Sequence, residues 1–172
     1  MAFLRDPTIA TKYGIDPKRL AIVGHSVGGY GAARQARVDH ELLGVALIDA
    51  WGAAPDPAGA TPAARKEMID SFTQGPWSHS LKVVSPDQVT DELIHLNNEQ
   101  SALTFARNLT GISVLIVGAE KANGGQNKAL ADAIAKQNGA LVQTITLPTD
   151  HLFSDHRIVL TNLLLNWLDS IK

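Results

Sequence analysis

Short, nearly continuous apolar runs alternate along the chain with stretches whose apolar residues recur at helical spacing. That is the pattern of parallel strands joined by crossover helices. Four runs, at residues 20–24, 43–48, 112–118 and 140–147, are built mainly from Val, Ile, Leu and Ala, a composition that predicts strands covered on both faces. Helical spacing predicts a helix over 27–38, another from 126 to a stop at Asn138-Gly139, and a last one over 155–170, with Leu163, Leu164, Trp167 and Leu168 as its buried stripe. The fold class predicted is α/β, with about four parallel strands and flanking helices. Residues 55–109 show no strand pattern and open on the turn-rich Pro55-Asp56-Pro57-Ala58-Gly59, so they read as a helical insertion. Ser85-Pro86-Asp87-Gln88 combines a capping box with proline at the first helical position, which predicts helices over 62–72 and within 86–108.

Length and composition then narrow the function. A chain of 172 residues suits a single domain, and 45% hydrophobic with 19% charged residues is ordinary for a folded protein. The net charge is −2 and the basic residues are scattered, so no electrostatic footprint for nucleic acid is present. There is no cysteine, which excludes disulfides, thiolate metal sites and cysteine nucleophiles. The opening Met1-Ala2-Phe3-Leu4-Arg5-Asp6-Pro7 is too polar for a signal h-region and no apolar run is long enough to span a bilayer, so cytoplasm is the default expectation. No zinc motif or spaced acidic cluster appears, and the glycines between Gly118 and Gly125 lack the Lys-Ser or Lys-Thr of a phosphate loop. Neither a metal nor a cofactor is expected.

The chemistry-bearing stretch is Gly24-His25-Ser26-Val27-Gly28-Gly29, which follows the first apolar run and opens the first helical one. It is a Gly-x-Ser-x-Gly match in the strand-turn-helix context where such a turn projects a serine hydroxyl, the glycines avoiding collision with the neighbouring strand or helix. The Val27 N–H, at the helix start, stands where an oxyanion would develop. A serine of this kind needs a base, and His151 follows the last predicted strand in the loop before the final helix. His156 falls in the first turn of that helix, His25 is part of the elbow and points elsewhere, and His40, His79 and His95 read as surface or insertion residues. For the third group two acids compete. Asp49 ends the second apolar run, where an ionised carboxylate is costly unless paired, and Glu120 follows the third. Asp150 and Asp155 lie close to His151 along the chain, and Asp155 suits an N-cap. Trp51, Phe72, Trp77 and Phe105 are candidates for lining an acyl pocket.

In the order Ser26, Asp49, His151 the chain resembles the carboxyl-terminal part of an α/β-hydrolase. It is similar in particular to the plasma-type platelet-activating factor acetylhydrolases and their dienelactone-hydrolase-like bacterial relatives. The stretches that carry the likeness are Gly-His-Ser-Val-Gly-Gly, Val45-Ala46-Leu47-Ile48-Asp49-Ala50-Trp51 and His151-Leu152-Phe153-Ser154-Asp155. The resemblance implies a serine esterase for a small-molecule ester with a short acyl group. It also implies that the acid follows the strand after the nucleophile, which supports Asp49 over Glu120. Complete members carry further strands before the elbow, so the resemblance implies half a sheet, a second oxyanion donor not supplied by this chain, and an unpaired edge at 20–24. Such an edge predicts a homodimer or membership of a longer chain. The competing expectation is a truncated, catalytically silent module that self-associates through that edge.

Overall fold

The computed structural model describes residues 1–137 and 139–171. Two short helices, α1 (Ala2–Arg5) and α2 (Pro7–Tyr13), precede β1 (Ala21–His25), α3 (Val27–Ala36) and β2 (Gly44–Ile48). The long connection that follows carries α4 (Pro62–Thr73), α5 (Pro86–Glu99) and two 3-10 segments, Pro57–Ala60 and Ala102–Leu109. The chain then continues through β3 (Ser113–Ala119), α6 (Gly124–Ala135), β4 (Leu141–Leu147) and α7 (Arg157–Ser170). The four strands form one sheet in the order β1-β2-β3-β4, every pairing parallel, with Val23 opposite Ala46, Ala46 opposite Leu115, and Leu115 opposite Gln143.

α3, α6 and α7, which follow β1, β3 and β4, pack back on the sheet, and α4 and α5 after β2 pack on each other. On one face α3, α6 and the 3-10 segment Ala102–Leu109 bury Ala33, Val45, Leu109, Ile116, Leu130 and Ile134. On the other face α7 lays Trp167 against Ala46, Ile48, Leu115 and Val117. The indole N–H of Trp167 donates to Ser113 Oγ at 2.9 Å, which satisfies the one polar atom of this anchor. Leu163 and Leu164 are half-buried beside it, and Leu168, expected in the buried stripe, is exposed.

Two expectations need correction. Only β2 and β3 are covered on both faces. β1 and β4 are the ends of the sheet, and α7 is a single helix centred on β2 and β3, so Val23 on β1 and Leu141 and Ile145 on β4 remain exposed. The one or two helices expected within 86–108 are α5, which stops at Glu99, and the 3-10 segment beyond it, kinked at Phe105. The helix expected from 155 begins at Arg157 with His156 in the cap position, and Asp155 is not its cap. The Asn138-Gly139 stop falls partly outside the described residues; Gly139 has φ +75° and α6 ends at Ala135.

The glycines of the turn after β1 differ in what they avoid. A Cβ on Gly24 would lie 2.1 Å from the Gly28 carbonyl oxygen, and one on Gly29 would lie 2.7 Å from the Ala50 Cβ. At Gly28 nothing lies within 4 Å, so collision does not explain that glycine. Gly24→Ala is therefore expected to cost more than about 3 kcal/mol, because rigid backbone must shift. Gly28→Ala, in a helix with open space around it, is expected to add about 0.5 kcal/mol. Urea midpoints at unchanged slope read both values.

Candidate active site

The three elements of the site come from three strand ends. Ser26 sits between β1 and α3 with φ +56° and ψ −125°, a backbone conformation that non-glycine residues rarely adopt. Its own main chain holds it there: the Ser26 N–H donates to the Ile48 carbonyl at 3.0 Å, and the Ser26 carbonyl accepts from Trp51 at 3.1 Å. The turn is thereby stitched to the end of β2. Val27 is the first residue of α3, so its N–H has no acceptor within the helix.

Asp49 follows β2, and its side chain is fully buried. Its φ is +40°, a second strained position. The carboxylate accepts from the Ala119 N–H at 2.8 Å, from the Asn123 N–H at 3.4 Å and from Asn123 Nδ2 at 3.3 Å. Asn127, also buried, clamps the next residue: its Oδ1 accepts from the Ala50 N–H and its Nδ2 donates to the Ala50 carbonyl, both at 3.0 Å. Burial takes the carboxylate out of solvent, and these donors meet its lone pairs in place of water.

His151 lies in the loop between β4 and α7. Its Nδ1 is 2.5 Å from Asp49 Oδ2 and its Nε2 is 3.0 Å from Ser26 Oγ. Because an ionised carboxylate only accepts, Nδ1 carries the proton and Nε2 is left as acceptor for the Ser26 hydroxyl. The loop is folded on itself. Asp150 accepts from the Leu152 and Ser154 N–H groups, and these bonds, Ser154 foremost, hold its carboxyl below the ordinary value. The Thr149 hydroxyl donates to Asp155, and with the His156 ring beside it Asp155 is pulled down to about 2. Both acids serve the loop. Phe153, buried at φ +53°, pins its middle.

Ser26, Asp49 and His151 are thus brought together, whereas Glu120 is exposed after β3 and His151 Nδ1 donates to Asp49 instead. His40, His79 and His95 are exposed, as expected. His25 was expected to point elsewhere and does not: its ring centroid is 4.6 Å from that of His151. Of the aromatic candidates, Trp51 stands edge-on to Tyr30, Phe105 is in the core, Phe72 is half-buried and Trp77 is exposed. Asn123 and Asn127 escaped the sequence reading, although Asn127 shares a helical face with Leu130, Ala131 and Ile134, where an amide needs a reason. Among the described residues no group of three or more His, Cys, Asp or Glu is placed to hold a metal, and no helix is long and apolar enough to cross a membrane.

The sequence matches no family model and no curated protein. Its architecture matches solved structures in fold and only distantly in sequence. An esterase of Pyrococcus furiosus superposes with a TM-score of 0.63 at 13% identity over 95% of this chain and 58% of that one. A monoacylglycerol lipase of Paleococcus ferrophilus gives 0.60 at 17% identity over 96% and 72%. The chain has part of an α/β-hydrolase fold. A carboxylesterase structure of the thaumarchaeon Nitrososphaera gargenis shares that hydrolase fold, with a TM-score of 0.63 at 13% identity over 98% of this chain and 71% of that one. The chain therefore spans between 58% and 72% of these three hydrolase-fold neighbours.

Proposed function

We propose that the chain is a serine hydrolase of carboxylic esters, with Ser26 as nucleophile, His151 as general base and acid, and Asp49 as the group that orients His151. The observation that carries this reading is the unbroken relay from buried carboxylate to imidazole to hydroxyl, 2.5 Å and 3.0 Å long. The fold neighbours described as esterases and a lipase support the ester as substrate class. A short acyl group follows from the acetylhydrolase resemblance.

The chemistry runs in two halves. Ser26 Oγ adds to the ester carbonyl carbon while its proton passes to His151 Nε2. The resulting oxyanion is met by the Val27 N–H, and the imidazolium is stabilised by Asp49. Collapse of the tetrahedral species breaks the carbon–oxygen bond to the alcohol, which leaves with the proton from His151. Water then repeats the sequence on the acyl-serine and returns the free hydroxyl. With Val27 as the single identified oxyanion donor, a rate on the order of a hundredfold below that of a two-donor site is expected.

A fluorophosphonate probe tests the assignment. The folded protein is expected to gain one adduct, mapped by mass spectrometry to the peptide containing Ser26, and no adduct after unfolding in urea. Labelling that persists in the unfolded chain, or that maps elsewhere, rejects the reading. A second reading is favoured by one observation: β1 lies at the sheet edge with Val23 exposed. In that reading the chain is a silent module whose β1 edge pairs with a second copy or with another part of a longer chain. Equal hydrolysis by the wild type and Ser26→Ala would favour it.

A further inference from the structure

The loop that carries His151 starts from β4, yet the hydroxyl it meets stands at the end of β1. Between them lie β3 and β2, so the base is carried across the end of the sheet over roughly three interstrand spacings, about 14 Å. A loop reaching that far needs fastening at its far end, because its internal bonds at Asp150 and Asp155 fix its shape and not its position relative to β1. Asp49 supplies one attachment, at the end of β2.

We propose that His25, the last residue of β1, is the second attachment and acts as a positioning residue for the base. This rests on the reading of Ser26 and His151 as nucleophile and base. His25 Nε2 lies 2.8 Å from the His151 carbonyl oxygen. A carbonyl only accepts, so the Nε2 carries a proton and donates. The two imidazoles face each other at 4.6 Å with a 35° tilt, and the edge of the buried Phe153 ring closes on His25 at 6.4 Å and 69°. His25 thus grips the main chain of His151 and covers one face of its ring, while Asp49 holds one ring nitrogen. A hydrogen bond at one ring nitrogen leaves the ring free to tilt about that contact; a neighbouring ring plane opposes the tilt.

His25 itself is exposed, so burial does not explain the residue type. An imidazole suits the position because it offers both a donor on a rigid arm and a flat face. The side chain is attached to the residue next to Ser26 in sequence. The hydroxyl and the brace on its base are therefore set by one backbone segment, and move together.

The test separates donor from ring. His25→Phe keeps a flat ring and removes the donor; His25→Gln places an amide N–H near the original Nε2 and removes the ring. Steady-state ester hydrolysis and the rate of phosphonylation by a fluorophosphonate are measured on both and on the wild type. Their folding is checked by urea midpoints. His25→Phe is expected to lower kcat by about ten- to a hundredfold with KM nearly unchanged, since displacing a reacting group by about an ångström has effects of that size. His25→Gln is expected to recover most of that loss. An unchanged kcat in His25→Phe, or a loss in His25→Gln as deep as in His25→Phe, overturns the proposal. If the wild type itself fails to react at Ser26, the hydrolase reading has failed and the positioning role is judged without activity. The far-downfield NMR proton between His151 Nδ1 and Asp49 is then expected to broaden or shift in His25→Phe and to return in His25→Gln. A resonance indifferent to both substitutions overturns it.

Discussion

Ser26→Ala is expected to lower ester hydrolysis by on the order of ten-thousandfold or more, toward the level that binding and the oxyanion contact alone can sustain. The size follows from what the substitution removes. The hydroxyl is the group His151 Nε2 faces at 3.0 Å, and an alanine leaves that nitrogen with no proton to take. The fold is expected to be indifferent. The Ser26 side chain is only part-buried, and its main-chain bonds to Ile48 and Trp51 are kept by alanine. The strain of φ +56° is kept as well, since alanine has a Cβ like serine. Initial rates on p-nitrophenyl acetate, with urea midpoints to show equal folding, measure both. A variant that hydrolyses the ester as fast as the wild type removes Ser26 from the chemistry.

Asp49→Asn is expected to lower kcat by about ten-thousandfold, and here the cause is a tautomer. The carboxylate accepts from Ala119, from two Asn123 donors and from His151 Nδ1. An amide has one acceptor oxygen and one donor nitrogen for these four approaches. With the oxygen toward Ala119, the nitrogen confronts the donors of Asn123 and His151. His151 then relieves the conflict by moving its proton to Nε2, where it points at Ser26 and cannot accept. The imidazolium also loses its counter-charge. Folding is expected to lose about 1–3 kcal/mol, because the site is buried and a donor is left without an acceptor. Glu120→Gln is the companion measurement: its carboxylate is exposed and away from the relay, so the rate is expected to stay within about twofold. A larger loss at Glu120 than at Asp49 would reverse the assignment of the orienting acid.

Much of this fold was readable because parallel strands advertise themselves. The runs around Val45-Ala46-Leu47-Ile48 and Val114-Leu115-Ile116-Val117 are apolar throughout, since both faces are covered, and they became β2 and β3 with limits shifted by a residue. The outer strands carry the same residue types without the same burial. Whether a strand is central depends on its neighbours, and no local pattern encodes a neighbour. The limits of α7 were misjudged for a related reason. Asp155 has the chemistry of a cap, but the Thr149 hydroxyl and the His156 ring engage it first. Asn123 and Asn127 went unnoticed because amides are ordinary near a helix start, and their partners Asp49 and Ala50 lie more than seventy residues away.

The sequence by itself determined the identities of the groups and the local shapes that present them: the strand-turn-helix with glycine at Gly24, the apolar strand ending in Asp49, and the loop bearing His151 before a final helix. These follow from short-range sterics and periodicity, which act within a few residues. The tertiary structure alone decided which acid faces His151, that the His25 ring lies against it, and which strands form the rim of the sheet. Those contacts join residues more than a hundred positions apart. They arise only when the order of strands in the sheet sets one chain end beside another, because a hydrogen bond or a ring contact depends on distances of a few ångströms that nothing local to either partner specifies.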